Sequence, residues 1–133
     1  MAANTTPIFA LTPKMAVGRI TGTTTDRSGT TTTNLITLVS ATTDGTKVTQ
    51  IGYKSTGVSA LGNFLIFISD TDGTTLRAFD EILISSITPS TSVLAARQVN
   101  FYSDLQLKSG QKILVGVTAL TAFMDAFAQI GDF

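Results

Sequence analysis

Apolar residues in this chain come in short bursts between polar, turn-forming segments, and within several bursts they recur with the period of a strand. Phe64, Ile66 and Ile68 fall on one face of an extended segment, as do Ile113, Val115 and Val117. Read this way, the pattern predicts strands near 15–21, 34–40, 47–54, 62–69, 75–86, 93–101, 112–118 and 122–130. The 75–86 stretch fits one long strand or two short ones. About eight strands at a spacing of roughly 8–12 residues predict an all-β fold, an antiparallel sandwich or barrel. The most helix-tolerant segment is ALTAFMDAFA at 119–128, which holds Ala, Leu and Met and lacks Gly and Pro; strand is preferred there, with a short helix the alternative. Thr, Val, Ile and Phe supply most of the pattern, and these side chains pack well on pleated sheets while losing χ1 freedom in helices.

In two of the segments the alternation is incomplete. Leu65, Phe67 and Leu114 sit between the residues that already form an apolar face. Those strands are therefore expected to be covered on both sides, by a second sheet on one and by a partner or a loop on the other. Two further segments stand outside the strand pattern. The run TGTTTDRSGTTTTN at 21–34 is polar and reads as an exposed, mobile loop joining two strands, or as an arm that orders against a neighbouring subunit. Residues 1–14 read as an extended N-terminal arm, because Pro7 and Pro13 favour an extended path. Its apolar residues Ile8, Phe9 and Leu11 would dock on a neighbouring subunit or fold back on the chain's own core. Residues 15–133 are then the single sandwich domain.

Four acidic side chains crowd into DTDGTTLRAFDE at 70–81 and ask for a chemical explanation. A calcium loop beginning at Asp70 would place Glu81 correctly at its twelfth position, but Thr75 stands where the invariant Gly is required. Asp-Gly pairs at 44–45 and 72–73 instead predict two-residue type I′ hairpins, whose central residues both need positive φ. Asp80 and Glu81 are neighbours, so a strand sends them to opposite faces, and they cannot form the convergent pair of an acid–base site. A structural role is expected, one paired with Arg77 or Lys54 and the other solvated.

Composition narrows the function further. At 133 residues and 14.0 kDa the chain is long enough for one domain with its own core. Charged residues make up only 14%, against about 25% in ordinary globular proteins, and nine basic residues balance nine acidic ones. That leaves no basic footprint for nucleic acid and little self-repulsion between copies. Histidine and cysteine are absent, which removes Ser-His-Asp triads, Cys-His pairs, HExxH zinc sites and disulfides together. Asp104, Asp125 and Asp132 are scattered along the chain. The glycines of STGVSALGN, 55–63, do not form a phosphate-binding loop. With no Trp, only Tyr53 and Tyr102 could serve as stacking platforms for a sugar. The N-terminus lacks a signal-peptide pattern, and no run approaches the ~18 apolar residues of a membrane span. The expectation is a protein without catalytic, cofactor-binding or metal-binding residues, needing neither nucleic acid nor membrane.

Five segments, taken in order, carry a resemblance. DGTKVTQIGYKSTG (44–57), LIFISD (65–70), FDEILISSITPST (79–91), LQLKSGQKILV (105–115) and the ending IGDF (130–133) are similar to a group of small tailed-bacteriophage virion proteins. The resemblance spans about residues 30–133. The chain departs from that pattern at Leu83, where the family often has Pro, and at Ile130, where Gly is usual. The resemblance implies a jelly-roll-like β-sandwich serving as a virion structural protein. It points to a capsid decoration (cement) protein, made in the host cytoplasm, that binds the major capsid protein on the capsid surface and self-associates as a homotrimer. A tail, baseplate or head-fibre component is the structural alternative, and a carbohydrate- or receptor-binding jelly roll the alternative of another class.

Overall fold

The computed structural model describes residues 12–133. Residues 1–11, with Ile8, Phe9 and Leu11 and most of the expected arm, lie outside the described residues. Eight strands follow in order: β1 (Thr12–Ile20), β2 (Ile36–Ser40), β3 (Thr46–Ser55), β4 (Gly62–Ser69), β5 (Leu76–Ile84), β6 (Arg97–Leu107), β7 (Lys112–Val117) and β8 (Met124–Asp132). They form two four-stranded antiparallel sheets, sheet A in the order β1-β8-β3-β6 and sheet B in the order β2-β7-β4-β5. Only β4 and β5 are joined within one sheet; every other connection crosses the sandwich. Eight strands so interleaved make an all-β, jelly-roll-like sandwich: the strand pattern predicted a sandwich or barrel, and the resemblance implied the jelly roll.

The core lies between the sheets and is built from the alternating residues. Sheet A contributes Ile51, Tyr53, Ala126 and Ala128, and sheet B contributes Phe64, Ile66, Ile113 and Val115. Tyr53 is fully buried, 5.4 Å from the Phe64 ring, and its hydroxyl donates to the Leu83 carbonyl at 2.7 Å. That bond satisfies the one polar atom that a buried tyrosine brings inside.

The β4 boundaries coincide with the expected 62–69, whereas three other expectations need correction. β1 begins at Thr12, so residues 12–14 belong to a strand and not to an arm. Pro13 is tolerated because β1 is an edge strand, where its missing N–H breaks no ladder. β6 runs from Arg97 to Leu107 instead of 93–101, since Val93 and Leu94 lie in an exposed connection. Segment 119–128 is half connection and half strand, with β8 starting at Met124.

Neither Asp-Gly pair forms a type I′ hairpin. Asn34 is the sole non-glycine with positive φ among the described residues, so Asp44 and Asp72 both lack the required conformation. Residues 42–45 join β2 of sheet B to β3 of sheet A, which makes this an inter-sheet turn. Gly45 N–H bonds back to the Thr42 carbonyl at 3.0 Å. The 70–75 loop does close a hairpin but is wider than two residues. Gly73, at φ 75°, donates to the Asp70 carbonyl, and Asp70 N–H donates to the Thr75 carbonyl. The Asp72 carboxylate accepts from the Thr74 and Thr75 amides at 2.9 Å and from the Thr75 hydroxyl at 2.6 Å, which stabilises the wider loop.

The incomplete alternation of β4 and β7 is explained by the connection from β1 to β2. It lies across the outer face of sheet B, where Leu65, Phe67 and Leu76 are buried with Leu35 and Leu114 packed against them. Thr24 N–H bonds to the Val117 carbonyl, and the Asn34 amide donates to the Thr23 carbonyl. A Cβ on Gly29 would come within 2.8 Å of Leu76 Cβ, a measure of how closely the connection approaches the sheet. Asp26 organises this segment, accepting from the Ser28 amide and hydroxyl and from the Thr30 hydroxyl and Thr31 amide. The Thr-rich run thus covers its own sheet.

Candidate interaction surface

Most of the acidic residues singled out by sequence have a basic partner. Asp70 pairs with Arg77 at 3.6 Å, Glu81 with Arg27 at 2.8 Å, Asp125 with Arg19 at 2.7 Å and Asp132 with Lys14 at 2.8 Å. Arg77 therefore serves Asp70 and not Asp80 or Glu81. Hydrogen bonds from the Thr75 hydroxyl and the 74–75 amides hold Asp72 down at about 2. Asp125 and Asp132 stand seven residues apart on β8, roughly 23 Å at ~3.3 Å per strand residue, too far to act together. Asp104 is an exposed residue of β6. Among the described residues no three acidic side chains gather as a cation site would require.

Asp80 is the exception in role. Residue Phe79 is extruded where the β4–β5 register shifts, and Asp80 turns toward β6 across the sandwich edge. It accepts from Tyr102 OH at 2.7 Å and Asn100 Nδ2 at 2.9 Å. Burial pushes the Asp80 carboxyl up, but these bonds and that from the Glu81 amide outweigh it and hold the group below its ordinary range. Burial, then the bond to Asp80, pushes the Tyr102 phenol up. The cluster is a structural clasp between the sheets. Tyr53, in the core, is inaccessible as a stacking platform, and Tyr102 is engaged in the clasp.

What the structure brings together instead is apolar surface, and its distribution is uneven. The two ends of the sandwich differ in kind. The end bearing the 42–45, 70–75 and 108–111 turns presents Thr, Asp, Ser, Gln and Lys side chains among its glycines. At the other end, the 56–61, 85–96 and 118–123 connections expose Val58, Leu61, Val93, Leu94 and Phe123, with Leu94 87% and Leu61 68% accessible. These connections are tied to one another by backbone bonds, Ala122 N to Val58 O, Ser59 N to Ile87 O and Thr56 N to Phe123 O. The side chains thus project from one braced platform.

The outer face of sheet A carries further apolar side chains, set apart from that end by a charged row. Strand register aligns Val17 of β1, Phe127 of β8, Gly52 of β3 and Val99 of β6 in one row across the sheet. Gly52 is required there: a Cβ would lie 2.9 Å from the Phe127 ring and 2.5 Å from the Gln98 carbonyl. The next row toward the polar end holds Met15, Gln129, Gln50 and Phe101. Toward the apolar end lies a charged row, Arg19, Asp125, Lys54 and Arg97. Arg19 forks onto Asp125 at 2.7 and 3.1 Å and lies 5.8 Å from the Phe123 ring; Arg97 lies 5.7 Å from the Phe127 ring. The Arg19 bond, aided by Lys54, holds Asp125 below the ordinary carboxylate range. Between the two rows runs an open groove of about 460 Å³, walled by Val17 and Phe127 and rimmed by Arg19, Lys54 and Asp125.

Sequence reasoning missed this surface. Its only local signals were apolar residues inside Gly- and Ser-rich turns, Val58 and Leu61 in STGVSALGN and Val93 and Leu94 in STSVLAAR. No protein-family model matches the chain, and no curated protein matches it.

Proposed function

We propose that this chain is a virion structural protein of a tailed bacteriophage, a capsid decoration (cement) protein that binds the major capsid protein lattice as a homotrimer and stabilises the head. The observation that carries the reading is the polarity of the molecule. One end is a set of polar turns suited to water, while the other is a braced platform of Val58, Leu61, Val93, Leu94 and Phe123. Large apolar side chains exposed together at one end of a molecule mark an interaction site. The order of the five resembling segments supplies the kind of particle, and the near-neutral, low-charge surface suits a protein packed among copies. Work of this sort needs area and repetition. A standard interface buries about 1,200–2,000 Å², and repeated engagement on a lattice adds avidity without new contacts.

The test is reconstitution. Capsids assembled without the protein should take it up to saturation and then resist heat or chelator treatment better than bare capsids. A copy number per virion in the hundreds and divisible by three fits the head lattice, whereas a dozen or fewer copies would place the protein in the tail. Absence from assembled particles, or turnover of a substrate by the purified chain, would end the proposal.

A further inference from the structure

We infer that the groove between Val17 and Phe127 on sheet A receives a segment of a partner protein bearing a large apolar side chain flanked by carboxylates. This deepens the decoration reading and rests on it. The groove walls are apolar, and Val17 is 75% exposed, so an inserted aliphatic or aromatic side chain gains burial without moving the chain's own core. The row above the groove sets the charge of the occupant. Arg19, Lys54 and Arg97 stand against one carboxylate, Asp125, and Arg19 already takes both oxygens of that carboxylate. Among the described residues Lys54 and Arg97 form no direct ion pair; Lys54 acts on Asp125 through its charge and donates to the Ser55 carbonyl at 3.4 Å. Arg97 rests against the Phe127 ring, which holds its guanidinium beside the groove.

A partner that covered this row with apolar surface alone would strand two cations out of water, at a cost that burial of the groove could not offset. Carboxylates opposite Lys54 and Arg97 remove that cost and add charge-assisted bonds, bidentate at Arg97. Two cations without a direct ion pair among the described residues suit an acidic protein segment. They are too few for nucleic acid, where binding engages about 6–10 phosphates, or for an anionic membrane, where recognition takes clusters of about 4–8 basic residues.

The experiment measures co-sedimentation with capsids assembled without the chain, across a sodium chloride series. Four proteins are compared: the full-length wild type, Val17→Asp, the double variant Lys54→Glu/Arg97→Glu, and the milder double variant Lys54→Gln/Arg97→Gln. All changes lie at exposed positions, and thermal melts monitor the fold. Wild-type binding should weaken with salt. Val17→Asp and the charge reversal should each weaken it by at least about tenfold, and the Gln variant should flatten the salt dependence. Wild-type-like binding and salt response in all variants would overturn the inference and leave the decoration reading intact. Failure of the wild type itself to bind would overturn both. Sedimentation of the wild type with vesicles of phosphatidylserine and phosphatidylcholine, but not with capsids, would assign the groove to lipid and overturn the protein-segment inference.

Discussion

The outer faces of the two sheets start from similar material and end differently. On sheet B, Leu65, Phe67 and Leu114 point away from the core, and the connection from β1 to β2 crosses them, so Leu65 and Phe67 are only 1% exposed. On sheet A, Val17, Phe127, Val99 and Phe101 also point outward, yet among the described residues no connection crosses them, and Phe101 is 75% exposed. One face is a second, small core. The other is apolar surface left available. A chain that can cover one face with its own Thr-rich connection and leaves the other open has separated stability from association, and the two faces should answer differently to the same kind of change.

The largest contrast is expected from aromatic truncation. Phe67→Ala removes a fully buried ring and should cost about 3–5 kcal/mol in urea unfolding, while Phe101→Ala on the open face should stay within about 0.5 kcal/mol of wild type. Equal losses would mean that the faces are not distinct. Gly29→Ala should be next. It forces a β-carbon toward Leu76 at a residue with φ of 80°, so a loss of roughly 1–2 kcal/mol is expected, with faster hydrogen exchange around the cover.

Acid gives a smaller, local effect on the covered face. Hydrogen bonds from Ser28, Thr31 and Thr30 hold Asp26 well below its ordinary value of 3.8. A carboxylate depressed in the fold contributes fully above its unfolded pKa, and that contribution is lost as pH falls through the folded value. The 26–31 amides should therefore keep their protection above about pH 4 and lose it progressively on acidification. Dye binding at Leu65 and Phe67 would rise with that loss, and protection unchanged down to pH 2 would remove Asp26 as the organiser of the cover. The smallest change in stability is expected at Leu94→Ser on the apolar end, within about 0.5 kcal/mol. Capsid binding should fall there all the same, and a large loss of stability without loss of binding would reverse the role given to that end.

Much of the architecture was legible along the chain. Phe64, Ile66 and Ile68, with Ile113, Val115 and Val117, marked strands by period alone, and the doubled apolar pattern of β4 correctly announced two covered faces. The failures share one cause. Val93 and Leu94 look like strand residues, but nothing within a few positions of them shows that the chain is crossing between sheets there. Asp44-Gly45 looks like a hairpin turn for the same reason: its conformation depends on whether the next strand joins the same sheet or the opposite one. Asp80 offered no hint of its partners, because Asn100 and Tyr102 are about twenty residues away and meet it only at the sandwich edge.

Local chemistry, then, determined where strands form and where glycine must turn the chain, since side-chain period and backbone sterics act over a few residues. The exclusion of histidine and cysteine chemistry was likewise complete in the composition. Whether an apolar side chain ends in a core, under a connection or in the open was decided by the order in which β1 to β8 interleave. That order brings Val17 beside Phe127 and Leu35 over Gly116, contacts between positions too distant in sequence for any short-range pattern to encode.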